Sequence, residues 1–277
     1  MTLLHLPSGT LEYELVDLTP PWRRQASTVV FMHGVGANLD IWSQWLPWLA
    51  GHHRLLRFSL RGFGGSQQGP VAPEPSLDLL ARDLFSLADA TGTEYFHLVA
   101  ESFGGSIALH AALSRPERIS SLCLMSTPCR GSDIQPLHAW PELATSEQGM
   151  ARWNEEMMAG RFSEDALQPE ARDWFRRIQA NTDPTWLGKL ARLILTTDLR
   201  DRLPQVQAPV LLMGGDASPY VGLTQIAALH ALLPQSQVCV FPGARHGIAF
   251  SHARVCAEHF LAFAAGCRGS TPNEETK

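Results

Sequence analysis

The chain has 277 residues, 45% hydrophobic and 18% charged, with 22 basic against 27 acidic side chains and a net charge of −5. At about 100–200 residues per domain, this length admits one large domain or two small ones, with a core that needs no disulfide or metal staple. A mildly acidic chain with no basic cluster offers no electrostatic footprint for nucleic acid or an anionic membrane, and no apolar run reaches the ~18 residues of a membrane span.

Residues 1–9 lack the basic start and apolar core of a signal peptide. Residues 11–16 read as a strand, and 28–32 as a buried strand running into His33 and Gly34. A third strand, 53–59, ends at Leu60, Arg61 and Gly62. Apolar residues at 77, 80, 84 and 87–88 make a helical stripe over 77–90. A strand at 95–100 is followed by a small-residue helix over 103–113 that stops before Pro116, then by a strand at 119–125. Residues 210–213 form a strand ending at Gly214 and Gly215, 223–233 a helix, 237–241 a strand and 253–264 a last helix. Repeated β-then-α units imply a mostly parallel sheet flanked by helices on both faces, the α/β class. The rhythm breaks over residues 131–202, a helical stretch holding Trp140, Trp153, Trp174 and Trp186. It reads as a helical cap inserted between core strands, leaving 1–130 and 203–265 as the core and 266–277 as a polar, disordered tail. The five cysteines are odd in number, widely spaced and without a C-x-x-C pair. Unpaired thiols in a reduced, cytoplasmic setting follow, with Cys123 and Cys239 as small core residues.

Open α/β sheets bind ligands at the carboxyl ends of their strands. The strand at 95–100 runs into Glu101, Ser102, Phe103, Gly104 and Gly105, and with Ala100 this is small-x-Ser-x-Gly between a strand and a helix. Small residues at 100 and 104 let strand and helix approach, so Ser102 sits on a strained, exposed elbow at a helix N-terminus. A serine hydroxyl needs a base and an orienting acid. In this architecture the chain order is Ser, acid, His. His246, in the loop 242–247 after the last strand, is the base; Asp216, after Gly214 and Gly215, is the acid. The other histidines read as surface or structural residues, and no H-E-x-x-H or other metal pattern occurs. The turn after His33 supplies backbone N–H groups, and those of Val35 and Phe103 are the expected oxyanion donors. His33, Gly34, Trp140 and Trp153 are expected at the substrate. For the tryptophans of 131–202 together with Trp42, Trp45 and Trp48, core packing is the expected role of most, with one or two forming an apolar wall of the pocket. The loop R-G-F-G-G-S from Arg61 is not a phosphate cradle, because position 67 is Gln and no G-K-[ST] exists.

Six motifs in order carry a resemblance: H-G-V-G from His33, L-R-G-F-G-G-S from Leu60, E-S-F-G-G from Glu101, R-P-E-R from Arg115, G-G-D from Gly214 and G-A-R-H from Gly243. Across roughly residues 10–265 the chain resembles the α/β-hydrolase superfamily. H-G-x-G-x-N from His33, Trp42 and A-R-D-L from Ala81 look most like its 3-oxoadipate enol-lactonase and small carboxylesterase branch. The resemblance implies a cap between the sixth and seventh strands. It also sets out two departures. Ser59 stands where the family usually has Asp. The usual Gly-x-x-Asp acid loop is compressed to G-G-D-A-S-P, with Asp198 and Asp201 as fallback acids. The family's second acid location holds Ser126, Thr127 and Pro128. A serine nucleophile separates the chain from haloalkane dehalogenases and epoxide hydrolases. Glu101 either biases substrate charge or faces solvent.

The expected function is a serine hydrolase that needs no cofactor and cleaves a small, partly hydrophobic ester or lactone through an acyl-enzyme. C–C bond hydrolysis, thioester cleavage or lyase chemistry with the same residues is the alternative. A hydrolase-fold ligand receptor with negligible turnover is the alternative of another class. The residues leave the assembly open, a homodimer included.

Overall fold

A computed structural model of the chain describes residues 1–23, 26–69 and 73–267. Among the described residues eight strands form one sheet: β1 (Thr2–Leu6), β2 (Gly9–Val16), β3 (Thr28–Met32), β4 (Arg54–Phe58), β5 (Phe96–Glu101), β6 (Ile119–Met125), β7 (Val210–Gly215) and β8 (Ser236–Phe241). The order is β1-β2-β4-β3-β5-β6-β7-β8. Every pairing from β4 through β8 is parallel, while β1–β2 and β2–β4 are antiparallel. The parallel centre explains the apolar runs in the sequence: all residues of β3 and β5 are buried because helices cover both faces. Sequence reading missed β1, an exposed edge strand whose residues bury little and so carry little apolar signal.

The helices are α1 (Leu46–Leu49), α2 (Leu77–Ala90), α3 (Phe103–Ser114), α4 (Trp140–Leu143), α5 (Glu147–Arg161), α6 (Pro169–Ala180), α7 (Pro184–Thr196), α8 (Leu223–Leu232), α9 (Ile248–Ser251) and α10 (Ala253–Gly266). One apolar layer packs α2 and α3 through Leu80, Leu84 and Ile107. The other packs α1 and α10 through Leu49, Cys256 and Phe260. The regular elements between β6 and β7 are all helices, joined by short loops, with Trp140, Trp153 and Trp186 buried. Among the described residues no helix is long and apolar enough to cross a membrane. Gly266 closes α10 rather than opening a tail, and the rest of the expected tail, 268–277, lies outside the described residues. All five cysteines are free; Cys123 is buried, but Cys239 on the edge strand β8 is only half-buried.

The parallel register puts the functional loops on one level. Met32 pairs with Ala100, Ala100 with Leu124 and Leu124 with Leu212. The chain therefore leaves β3, β5, β6 and β7 along a common edge. The loop after β4 is fixed by Arg61, whose Nη2 and Nε bind both oxygens of Asp83 at 2.6 and 2.9 Å inside the core. Ser59, the departure from the family pattern, donates to Glu12 Oε2 (2.9 Å), which also accepts the Gly65 N–H at 2.7 Å. A carboxylate from the neighbouring strand thus takes over part of what an Asp at 59 would supply.

Candidate active site

Ser102 has φ 55° and ψ −127°, in a region that L-residues rarely adopt. The strain is held by tertiary contacts: its N–H donates to Met125 O at 2.8 Å, and α3 begins immediately after it. The elbow requires Gly104, because a Cβ there would meet the His33 carbonyl oxygen at 2.5 Å and that of Met32 at 2.8 Å. Both are backbone atoms of the adjacent strand end and cannot yield cheaply. Gly104→Ala should cost about 1–3 kcal/mol in a denaturant titration. It should also slow the reaction of Ser102, as α3 is driven off β3.

His246 reaches Ser102 from 144 residues away, with Nε2 2.9 Å from Oγ. Its backbone is held on both sides: the N–H donates to Gly160 O at 3.3 Å, and the carbonyl accepts from Ser126 Oγ at 2.9 Å. The carbonyls of Ala159, Gly160 and Arg161 at the end of α5 have no partner within the helix. They receive Arg245 Nη1 and the N–H groups of His246 and Gly247, so the helical insertion is tied to the histidine loop. Burial, and secondarily the Arg161 cation, push His246 down to about 3, so the ring is neutral. Among the described residues, the Val35 and Phe103 N–H groups have no acceptor, leaving both free to point at a reacting oxygen.

The expected acid is not at the histidine. Asp216 is exposed, and its Oδ1 accepts the Gly243 N–H at 2.7 Å. The group facing His246 Nδ1 is Ser218 Oγ, at 3.2 Å. The reason is register: β7 runs two residues further than the apolar pattern suggests, to Gly215. Counting from Gly215, the third residue onward is Ser218, followed by Pro219. The signal was G-x-x-S-P, one position out of step with the reading from Gly214. The fallback Asp198 is bound by Arg200 at 2.6 Å, and Asp201 sits exposed in a turn.

The four expected substrate residues separate. Trp140 lines the space above Ser102 together with Val35, Ile134, Leu137, Met157, Arg161 and Ile194. Trp153 is fully buried and backs Trp140 edge-on, ring centroids 5.8 Å apart, without reaching the cavity. His33 is also fully buried; its Nε2 accepts the Leu60 N–H at 2.8 Å and its Nδ1–H donates to Gly34 O at 2.7 Å. Both nitrogens are spent on loop geometry. Gly34 permits contact, since a Cβ there would lie 2.8 Å from Ser102 Cβ. Trp42 and Trp45 are core, and Trp48 is exposed. The cavity is about 20 Å³, room for a water and not for an acyl group. A larger cavity of about 850 Å³ opens at the opposite, amino ends of β3, β4 and β5 and holds none of these groups.

Glu101 neither faces solvent nor reaches the cavity. It is 1% exposed, and its Oε2 lies 3.7 Å from Arg161 Nη1. Arg161 is equally buried and donates through Nη2 to Val35 O, while its Nε and Nη1 have no hydrogen-bond acceptor. Burial, opposed by Arg161, pushes the Glu101 carboxyl up from 4.5 to about 7. Because the folded value is the higher one, burying Glu101 is free of ionisation cost below pH 4.5 and increasingly costly as pH rises towards 7. Glu101→Gln should match the native chain in thermal stability at acid pH and exceed it above pH 7, a difference that melting curves at both pH values would reveal.

Residues 27–253 match the family model of the alpha/beta hydrolase fold. The chain belongs to this family. The hydrolase is similar to the pimeloyl-[acyl-carrier protein] methyl ester esterase of Aeromonas hydrophila subsp. hydrophila, 31% identical over 258 residues covering 86% of this chain and 96% of that protein. It is also similar to a 2-hydroxy-6-oxo-6-phenylhexa-2,4-dienoate hydrolase of Burkholderia cepacia, 26% identical with 83% and 84% covered. The enol-lactonase from Burkholderia xenovorans LB400 shares the fold, with a TM-score of 0.86 at 21% identity over 95% of this chain and 100% of that one. The expected superfamily is borne out, and with it a hydrolytic enzyme.

Proposed function

We propose that this hydrolase cleaves a small carboxylic ester or lactone by attack of Ser102. The observation that carries the reading is the 2.9 Å approach of His246 Nε2 to a strained Ser102 Oγ beside two unengaged amides. Ser102 Oγ attacks the carbonyl carbon while its proton passes to Nε2. The resulting oxyanion takes the Val35 and Phe103 N–H groups. Collapse breaks the C–O bond, and the departing alkoxide leaves with the proton from Nε2. Water then attacks the acyl-enzyme, its proton passing to Nε2 and on to Ser102 as the carboxylic acid departs. Ile134, Leu137, Trp140, Met157 and Ile194 would receive an apolar acyl group once the helical insertion moves outward. The esterase and lactonase relatives support an ester substrate. A fluorophosphonate probe should label Ser102, and short-chain p-nitrophenyl esters should turn over. Label without turnover of esters, thioesters or vinylogous diketones would point instead to a binding protein.

A further inference from the structure

We infer that Ser218 is the positioning residue for His246 in place of a carboxylate, and that its hydroxyl holds the ring in the tautomer that cannot take the Ser102 proton. The inference rests on the proposed hydrolase reading and on a count of hydrogen bonds. A serine hydroxyl has one hydrogen to give and two lone pairs to receive with. Ser218 Oγ already accepts the backbone N–H of Tyr220 at 3.3 Å and of Val221 at 3.1 Å. Both lone pairs are thereby engaged, and the hydroxyl hydrogen is left for His246 Nδ1, 3.2 Å away. An Nδ1 that accepts places the ring proton on Nε2. Nε2–H then donates to Ser102 Oγ, the reverse of what a base must do. Turnover requires Ser218 to rotate and release one backbone N–H, so that its oxygen can accept Nδ1–H.

Among the described residues, no carboxylate is hydrogen-bonded to or ion-paired with the ring. The groups around it include Arg161 from α5, the Tyr220 ring at 5.0 Å and Ser102 itself. Arg161 opposes the imidazolium that the reaction must form. The Glu101 carboxylate lies 3.7 Å from Arg161 Nη1. The Asp216 carboxylate is held by Gly243, and the Arg245 side chain by Ala159 O. The two amides converging on Ser218 Oγ would serve a carboxylate equally well, with its second oxygen free for Nδ1–H.

Ser218→Asp should therefore raise kcat for a p-nitrophenyl ester by about 10³–10⁴, approaching the factor of about 10⁴ by which loss of such a carboxylate slows a serine hydrolase. KM should stay unchanged, since Ser218 does not line the cavity. The acid limb of the pH–rate profile should move upward as imidazolium gains a counter-ion. Asp216→Asn should leave the rate within about threefold, an effect no larger than other surface changes produce. In the native chain, the ¹⁵N side-chain resonances of His246 should report an unprotonated Nδ1 and a protonated Nε2, a readout that needs no variant to fold. A protonated Nδ1, a Ser218→Asp protein that labels with fluorophosphonate but is no faster, or a tenfold loss in Asp216→Asn would each overturn the inference and leave the hydrolase reading standing. Failure of Ser102 to label in either protein overturns both.

Discussion

Ser102→Ala should abolish fluorophosphonate labelling and lower ester hydrolysis, by an amount that depends on residue 218. In a Ser–His–Asp hydrolase the full set contributes about 10⁶ to kcat, and loss of the carboxylate alone removes about 10⁴ of it. A serine and histidine without an acid therefore retain only about 10². Ser102→Ala in the native chain should cost about that factor, with the residual rate coming from the Val35 and Phe103 donors. The same substitution in the Ser218→Asp protein should cost on the order of 10⁵–10⁶, because the three groups then act as a unit. Single-turnover kinetics on a p-nitrophenyl ester in the four proteins measures both losses. Equal losses in the two backgrounds would contradict the coupling. The histidine's environment makes the native figure small: burial and Arg161 keep His246 near 3, a weak base for work at neutral pH.

The second large effect is on stability. Arg61 and Asp83 are paired at 2.6 Å with side chains 0% and 5% exposed. Arg61 also donates to the Ser8 carbonyl and, at 2.9 Å, to Ser8 Oγ, so one guanidinium joins the β1–β2 turn, the loop after β4 and α2. Asp83→Ala would leave that cation buried without its partner and should destabilise the fold by about 3–5 kcal/mol. Against a typical total of about 5–15 kcal/mol this is a large fraction. Burial raises the Asp83 carboxyl even though Arg61 opposes it, so desolvation outweighs the attraction. The pair itself is accordingly a weak source of stability, and its rupture is what costs. Replacing both members with apolar residues of similar volume should recover most of the loss, and a denaturant double-mutant cycle separates the two effects.

The elements that sequence reading recovered are those whose pattern is set by burial within the element. The strand at Thr28–Met32 and the helix at Leu77–Ala90 coincide with their expected limits, because each is bounded by local signals: full burial for β3, and Ser76 capping the Leu79 N–H for α2. The ends of β5 and β7 fell short. Glu101 and the pair Gly214–Gly215 are poor strand formers, and it is hydrogen bonding to β6 and β8 that extends them. Beyond the end of β7 it is Ser218, not Asp216, that faces His246 Nδ1.

Sequence alone determined the class of fold and singled out the serine and histidine that the structure brings to 2.9 Å, because each is written in a short local pattern: alternating β and α periodicity, a small-x-Ser-x-Gly turn, and a histidine just after the last strand. Tertiary structure alone decided which group faces Nδ1, that Arg161 and Glu101 share a buried site beside the turn after His33, and that His33 and Trp153 support rather than line the cavity. These outcomes depend on distances between atoms far apart along the chain. A local pattern fixes the direction of a backbone, whereas the position of a hydroxyl to within a hydrogen bond is set by the packing of every element around it.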